Sequence, residues 1–107
     1  MLLPEYTSRF KKDIKTLQKR RLDIEALKGV IRLLCAETAL DPKHRDHQLT
    51  GNWRGRRECH ISPDWLLIYK VGDGVIVFER TGSHSDILCI LAPGRGPFYY
   101  RPFFIIA

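Results

Sequence analysis

The chain has 107 residues, 44% of them hydrophobic and 28% charged, which suits one globular domain and excludes a disordered polyelectrolyte. Its net charge of +6 and pI near 9.5 favour polyanionic partners, nucleic acid above all, because each Lys or Arg set against a phosphate releases condensed counterions. Three cysteines, Cys35, Cys59 and Cys89, are too few and too far apart for a disulfide framework, and no apolar run approaches the roughly 18 residues of a membrane span, so a cytoplasmic protein with reduced thiols is expected.

A short strand at Leu2 to Glu5 can extend a sheet. From Thr7 to about Arg20, Phe10, Ile14 and Leu17 fall on one helical face. The opposite face carries Arg9, Lys11, Lys12, Lys15, Lys19 and Arg20, a cationic ridge with Asp13 as its one acid. A second amphipathic helix follows Asp23, an N-cap, and runs to about Thr38 on Ile24, Leu27, Ile31 and Leu34, packing antiparallel on the first. The segment from Asp41 to Asn52 lacks periodicity and reads as an exposed connection.

Trp53 to Ile61 alternates, with Trp53, Gly55, Arg57, Cys59 and Ile61 on one face and Arg54, Arg56, Glu58 and His60 on the other. Ser62-Pro63-Asp64 is turn chemistry, and Trp65 to Tyr69 is apolar throughout, as in a strand covered on both faces. Gly72-Asp73-Gly74 turns the chain into Val75 to Phe78, whose apolar pattern ends at Glu79-Arg80-Thr81-Gly82. Helices first and strands after predict an α+β fold, two N-terminal helices on a small antiparallel β-sheet with the other face open to a ligand. Beyond Leu88, residues 89–107 change character: prolines and glycines alternate with Phe98, Tyr99, Tyr100, Phe103 and Phe104, a tail separate from a domain at 1–88.

All four histidines lie between positions 44 and 84, and His47, His60 and His84 fall at element edges that a meander can bring together. Cleaving RNA through its own 2′-hydroxyl needs a base, an acid and fixed positive charge at the phosphorus. Histidine suits the proton transfers, with a reference pKa of about 6.5, and the planar arginine fork suits the phosphate. His47 and His84 are candidates for base and acid, Arg80 for charge, and Asp64 for orienting an imidazole. Arg54, Arg56 and the lysines of the first helix are candidate RNA contacts. A zinc site from His44, His47 and a cysteine lacks ligand pairs at metal spacing, so no metal or cofactor is expected.

Four strings occur in order: Lys43-His44-Arg45-Asp46-His47-Gln48-Leu49, Gly51-Asn52-Trp53-Arg54-Gly55, His60 to Lys70 with its Pro-Asp-Trp core, and Phe78-Glu79-Arg80-Thr81-Gly82-Ser83-His84. Together they resemble the YafQ-like branch of the RelE toxin superfamily, from the first helix to about Leu88. The resemblance implies a RelE-like toxin fold and a ribosome-dependent mRNA interferase, the toxin of a type II toxin–antitoxin pair. Its implied partners are a cognate antitoxin, mRNA and the ribosome, with DNA bound only through the antitoxin complex. It makes His47 a general base, His84 a general acid and Arg80 the stabiliser of the scissile phosphate, with His60 and Asp64 orienting groups or contacting substrate. The family's usual aromatic four residues after the last histidine is replaced here by Leu88, and Phe98, Tyr99 or Tyr100 is expected to fold back over the site or form a dimer contact. The competing readings are a non-catalytic RNA- or ribosome-binding module, and an antitoxin-binding component without turnover.

Overall fold

The computed structural model describes the backbone of residues 1–91 and, Asn52 apart, the side chains of residues 1–87. The expectations for Leu88 and for the aromatic tail lie outside the described residues. The described elements run β1 (Leu3–Tyr6), α1 (Ser8–Lys19), α2 (Ile24–Cys35), β2 (His47–Gln48), β3 (Arg57–Ser62), β4 (Trp65–Gly72), β5 (Val75–Gly82) and α3 (His84–Leu91), with short 3₁₀ turns at Pro42–His44 and Gly51–Trp53. They build one five-stranded sheet in the order β1-β5-β4-β3-β2.

Both predicted helices form where their caps allow. The Thr7 side chain accepts from Phe10 N at 3.0 Å and its hydroxyl donates to Glu79 O at 2.9 Å, so one residue starts α1 and ties it to β5. Asp23 caps α2 by accepting from Glu25 N. Phe10 and Leu17 of α1 and Leu27, Val30 and Leu34 of α2 bury against Cys59, Trp65, Leu67, Tyr69, Ile76 and Phe78 on one face of the sheet. Phe78 is fully buried, with the rings of Tyr6, Phe10 and Tyr69 centred 5.6, 5.9 and 6.3 Å away.

The β3–β4–β5 meander is antiparallel, as expected, and its second turn has Asp73 and Gly74 both at positive φ between the paired residues Gly72 and Val75. That two-residue geometry matches the strands' own twist, and glycine reaches it without penalty. The sheet as a whole is mixed rather than antiparallel, because β1 runs parallel to β5, Leu3 opposite Val75 through Tyr6 opposite Phe78. The helical hairpin supplies the crossover that a parallel pairing needs.

Four local expectations are corrected. The connection from Asp41 to Asn52 contains two 3₁₀ turns and the short strand β2, which pairs His47 with Glu58. The third strand begins at Arg57, not Trp53, because Gly55 sits at φ 92° and Arg56 N turns back to Trp53 O. Strand β5 continues through Gly82, since its polar residues are satisfied in place: Thr81 donates to Leu66 O and accepts from Trp65 Nε1, and Asp13 holds Arg80. The sheet's second face is partly closed by Leu49, Trp53 and Ile87 over Leu66 and Ile68, rather than left open.

Helix α3 was not foreseen. Ser83 starts it reciprocally, its hydroxyl accepting from Asp86 N at 3.2 Å while its own N–H reaches Asp86 Oδ2 at 3.0 Å. This is a capping box with aspartate in place of glutamate, a signal present in Ser83-His84-Ser85-Asp86. Gly82 leaves room for the same contact, since a Cβ there would stand 3.0 Å from Asp86 Cβ and Oδ2 and press that side chain aside.

Replacing Phe78 by Ala removes the ring at the centre of this packing and is expected to destabilise the protein by about 4 kcal/mol. A urea titration should show the midpoint falling with little change in slope.

Candidate active site

Registers across the sheet set the site. His47 of β2 lies opposite Glu58 of β3, Glu58 opposite Ile68 of β4, and Ile68 opposite Arg80 of β5; the next row is His60, Leu66, Gly82. Residues opposite one another share a face, so the two rows put the acid–base candidates on the face away from α1 and α2, and the chain reaches His84 two residues past Gly82. The His60 ring stands between the other two, 6.4 Å from that of His47 and 5.9 Å from that of His84.

His84 is oriented by the turn between β3 and β4. Its Nδ1–H donates to Asp64 Oδ1 at 2.6 Å, and its backbone N–H reaches the same oxygen at 3.1 Å. The imidazole side-chain bond, then the backbone bond, hold the Asp64 carboxyl below its ordinary value. With Nδ1 spent on the carboxylate, Nε2 is the nitrogen left for a substrate.

His47 carries a proton by geometry. Its Nδ1 faces the Arg45 carbonyl at 2.5 Å, and a carbonyl only accepts, so Nδ1 is the N–H. Its Nε2 is buried 3.2 Å from Glu58 Oε1, off the hydrogen-bonding axis, and a lone pair there would face a carboxylate. The buried carboxylate therefore favours the imidazolium form of His47 through its charge. Burial alone lowers the His47 pKa, but Glu58, the Arg45 carbonyl and Asp46 more than reverse this and hold it above its ordinary value. Burial raises the Glu58 carboxyl against the opposing pull of His47. His60 goes the other way: burial first, then the charges of His84, His47 and Arg45, lower it.

His44, His60 and His84 border a cleft of about 640 Å³ lined also by Lys43, Arg45 and Pro63 among others, and His47 stands behind His60 outside that lining. His44 Nδ1 donates to His60 O at 2.6 Å and pins the 3₁₀ turn to β3. Arg80 does not reach this cleft. Its Nε and Nη2 donate to the two oxygens of Asp13 at 2.7 and 2.9 Å, Asp13 also accepts from Thr81 N, and Nη1 is enclosed without a partner. That pair lines a second cleft with Thr16, Ser85 and Asp86.

Lys11, Lys12, Lys15 and Lys19 stand exposed along α1, and Arg54 is exposed in the connection before β3. Arg56 is half-buried, bonded to Glu79 at 2.6 Å with its guanidinium 5.2 Å from the Trp53 ring, so it braces the sheet edge. Among the described residues no cluster of three or more His, Cys, Asp or Glu converges to hold a metal ion, and no helix is long and apolar enough to cross a membrane.

The profile of the YafQ family, bacterial toxins of type II toxin–antitoxin systems, matches residues 2–89. The chain belongs to the YafQ toxin family. The mRNA interferase toxin YafQ of Escherichia coli K12 is 45% identical over 84 residues, spanning 78% of this chain and 91% of its own. The crystal structure of YafQ from E. coli BL21(DE3) superposes with a TM-score of 0.77 at 41% identity, covering 81% of this chain and 98% of that one. YafQ in the E. coli DinJ–YafQ complex gives 0.76 at the same identity and coverage.

Reasoning from sequence missed Glu58 and the roles of Asp13 and His44. Glu58 was visible as the acid two residues before His60 on the same strand face, and Asp13 as the single acid in a cationic helix face. His44 had no signal, since a loop side chain bonded to a backbone carbonyl leaves no pattern.

Histidine titrations by NMR should place His60 below and His47 above the ordinary value of about 6.5. Glu58→Gln removes the charge that favours imidazolium, so the His47 midpoint should fall while His60 stays low. An unmoved His47 would sever it from Glu58.

Proposed function

We propose that this chain is a toxin that cleaves mRNA at the histidine cleft, an endoribonuclease of the mRNA interferase class held in check by an antitoxin. The observation that carries the reading is the convergence of three imidazoles on one face, one bonded to a carboxylate at 2.6 Å and one paired with a buried glutamate.

The 2′-oxygen attacks phosphorus, its proton passes to a base, and the departing 5′-oxygen takes a proton from an acid, leaving a 2′,3′-cyclic phosphate and a 5′-hydroxyl. His84 is the acid, with Asp64 fixing its ring and Nε2 presented to the leaving oxygen. The base comes from the coupled His47 and His60. His60, whose pKa is lowered, is the member that gives up its proton first, while the Glu58 carboxylate holds His47 toward its protonated form. Arg80, expected at the phosphate, acts in this conformation through position: clamped by Asp13, it braces the end of β5 from which His84 projects.

Substrate delivery falls to the cationic side of α1. Lys11, Lys12, Lys15 and Lys19 face solvent as a strip of positive charge suited to ribosomal RNA, and ribosome-bound mRNA is the substrate this arrangement favours. The acidic partner that silences the toxin would cover part of the same charge, as DinJ partners YafQ in E. coli.

His84→Ala and His60→Ala should each lower kcat by about 10²- to 10⁴-fold in a ribosome-dependent mRNA cleavage assay. Because the base must be deprotonated and His60 sits low, the acid limb of the pH–rate profile should fall below the ordinary histidine value. Full activity in both variants would leave a binding module as the function.

A further inference from the structure

We propose that Arg45 is the cation that meets the scissile phosphate in the histidine cleft. The inference rests on the reading of that cleft as the site of RNA cleavage. A phosphorane-like transition state gathers negative charge on its equatorial oxygens, and a fixed cation beside them contributes more than one recruited from solvent. The two arginines of the region differ in their fitness for this.

Arg80 is 8% exposed, two of its nitrogens are bonded to Asp13 and the third is enclosed. It borders the Asp13–Asp86 cleft and not the one that holds His60 and His84. To bind phosphate it would have to leave Asp13 as an uncompensated, mostly buried carboxylate.

Arg45 is exposed and lines the same cleft as His60 and His84. Its backbone is held from both sides. Asp41 caps the 3₁₀ turn through Lys43 N, Arg45 N–H closes that turn on Pro42 O at 3.0 Å, and Arg45 O receives the His47 Nδ1 proton. Arg45 itself is left-handed, φ 48° and ψ 47°, a conformation that costs a side-chain-bearing residue on the order of 1 kcal/mol and turns the chain sharply between His44 and His47. Its charge already bears on the site, being one of those that lower His60. Lys43 borders the cleft too, but an ammonium lacks the fork that meets two phosphate oxygens at once.

The test is single-turnover cleavage of ribosome-bound mRNA by the full chain, comparing Arg45→Gln, Arg45→Lys and His84→Ala, with the bonded Asp64 carboxyl signal read by NMR as the check that the cleft is intact. Arg45→Gln should lower the limiting rate by about 100-fold while the half-saturating ribosome concentration moves less than threefold, and Arg45→Lys should recover part of the rate. A limiting rate within threefold of wild type, or a loss confined to half-saturation, overturns the inference and makes Arg45 a docking contact. If His84→Ala also cleaves normally, the reading of the cleft falls with it; if His84→Ala is inactive and Arg45→Gln is not, only the role of Arg45 falls.

Discussion

The site depends on the two-residue alternation of β3 held in register between β2 and β4. Cys59 and Ile61 go to the helix-covered core while Glu58 and His60 go to the opposite face, and a slip of one residue would exchange them. The slip is prevented by Cys59 and Leu67, which face each other fully buried under the helices, and by Leu66 and Ile68, fully buried on the other side of β4. Because β4 is apolar on both faces, it fixes the positions of the polar residues on either side of it. The candidate acid–base groups are thus carried by a strand that cannot shift without exposing its core.

Each charged group brought into this region has a partner chosen by the fold. Glu58 is buried beneath His47, Arg80 is held by Asp13 from α1, and Asp86 closes both the Ser83 cap and an ion pair with Arg20 at 2.8 Å. Arg20 and the Ser83 contacts hold the Asp86 carboxyl down to about 2. Its folded value lies below its unfolded one, so the stability it contributes is present above about pH 4 and is lost as pH falls toward 2. Asp13 and Arg20, on the flank of α1 between its apolar face and its lysines, therefore tie the proposed RNA-docking helix to the ends of β5 and α3.

The helices, the three-strand meander and the alternation that exposes His60 were legible in sequence because each follows from a local period and a cap. Asp23 as N-cap, the Gly72-Asp73-Gly74 turn and the two-sided burial of Trp65 to Tyr69 needed nothing beyond near neighbours. The parallel placement of β1 was not legible, since Leu3–Tyr6 finds its partner more than 70 residues away. The extension of β5 through polar residues was hidden for the same reason: Glu79 to Thr81 look like a strand end until Arg56, Asp13 and Trp65 arrive from elsewhere to satisfy them. The family resemblance named the catalytic candidates, and the geometry changed their relations, setting His47 on Glu58 and drawing Arg80 to Asp13.

The most direct measurement is a crystal structure of the toxin with a short RNA whose 2′-hydroxyl at the cleaved position is replaced by hydrogen, which removes the nucleophile and preserves the phosphate. The account predicts the scissile phosphate between His60 and His84, its 5′-oxygen within hydrogen-bond reach of His84 Nε2, and the Asp64–His84 bond intact. A phosphate seated in the Asp13–Asp86 cleft, with His60 and His84 facing solvent, would contradict it.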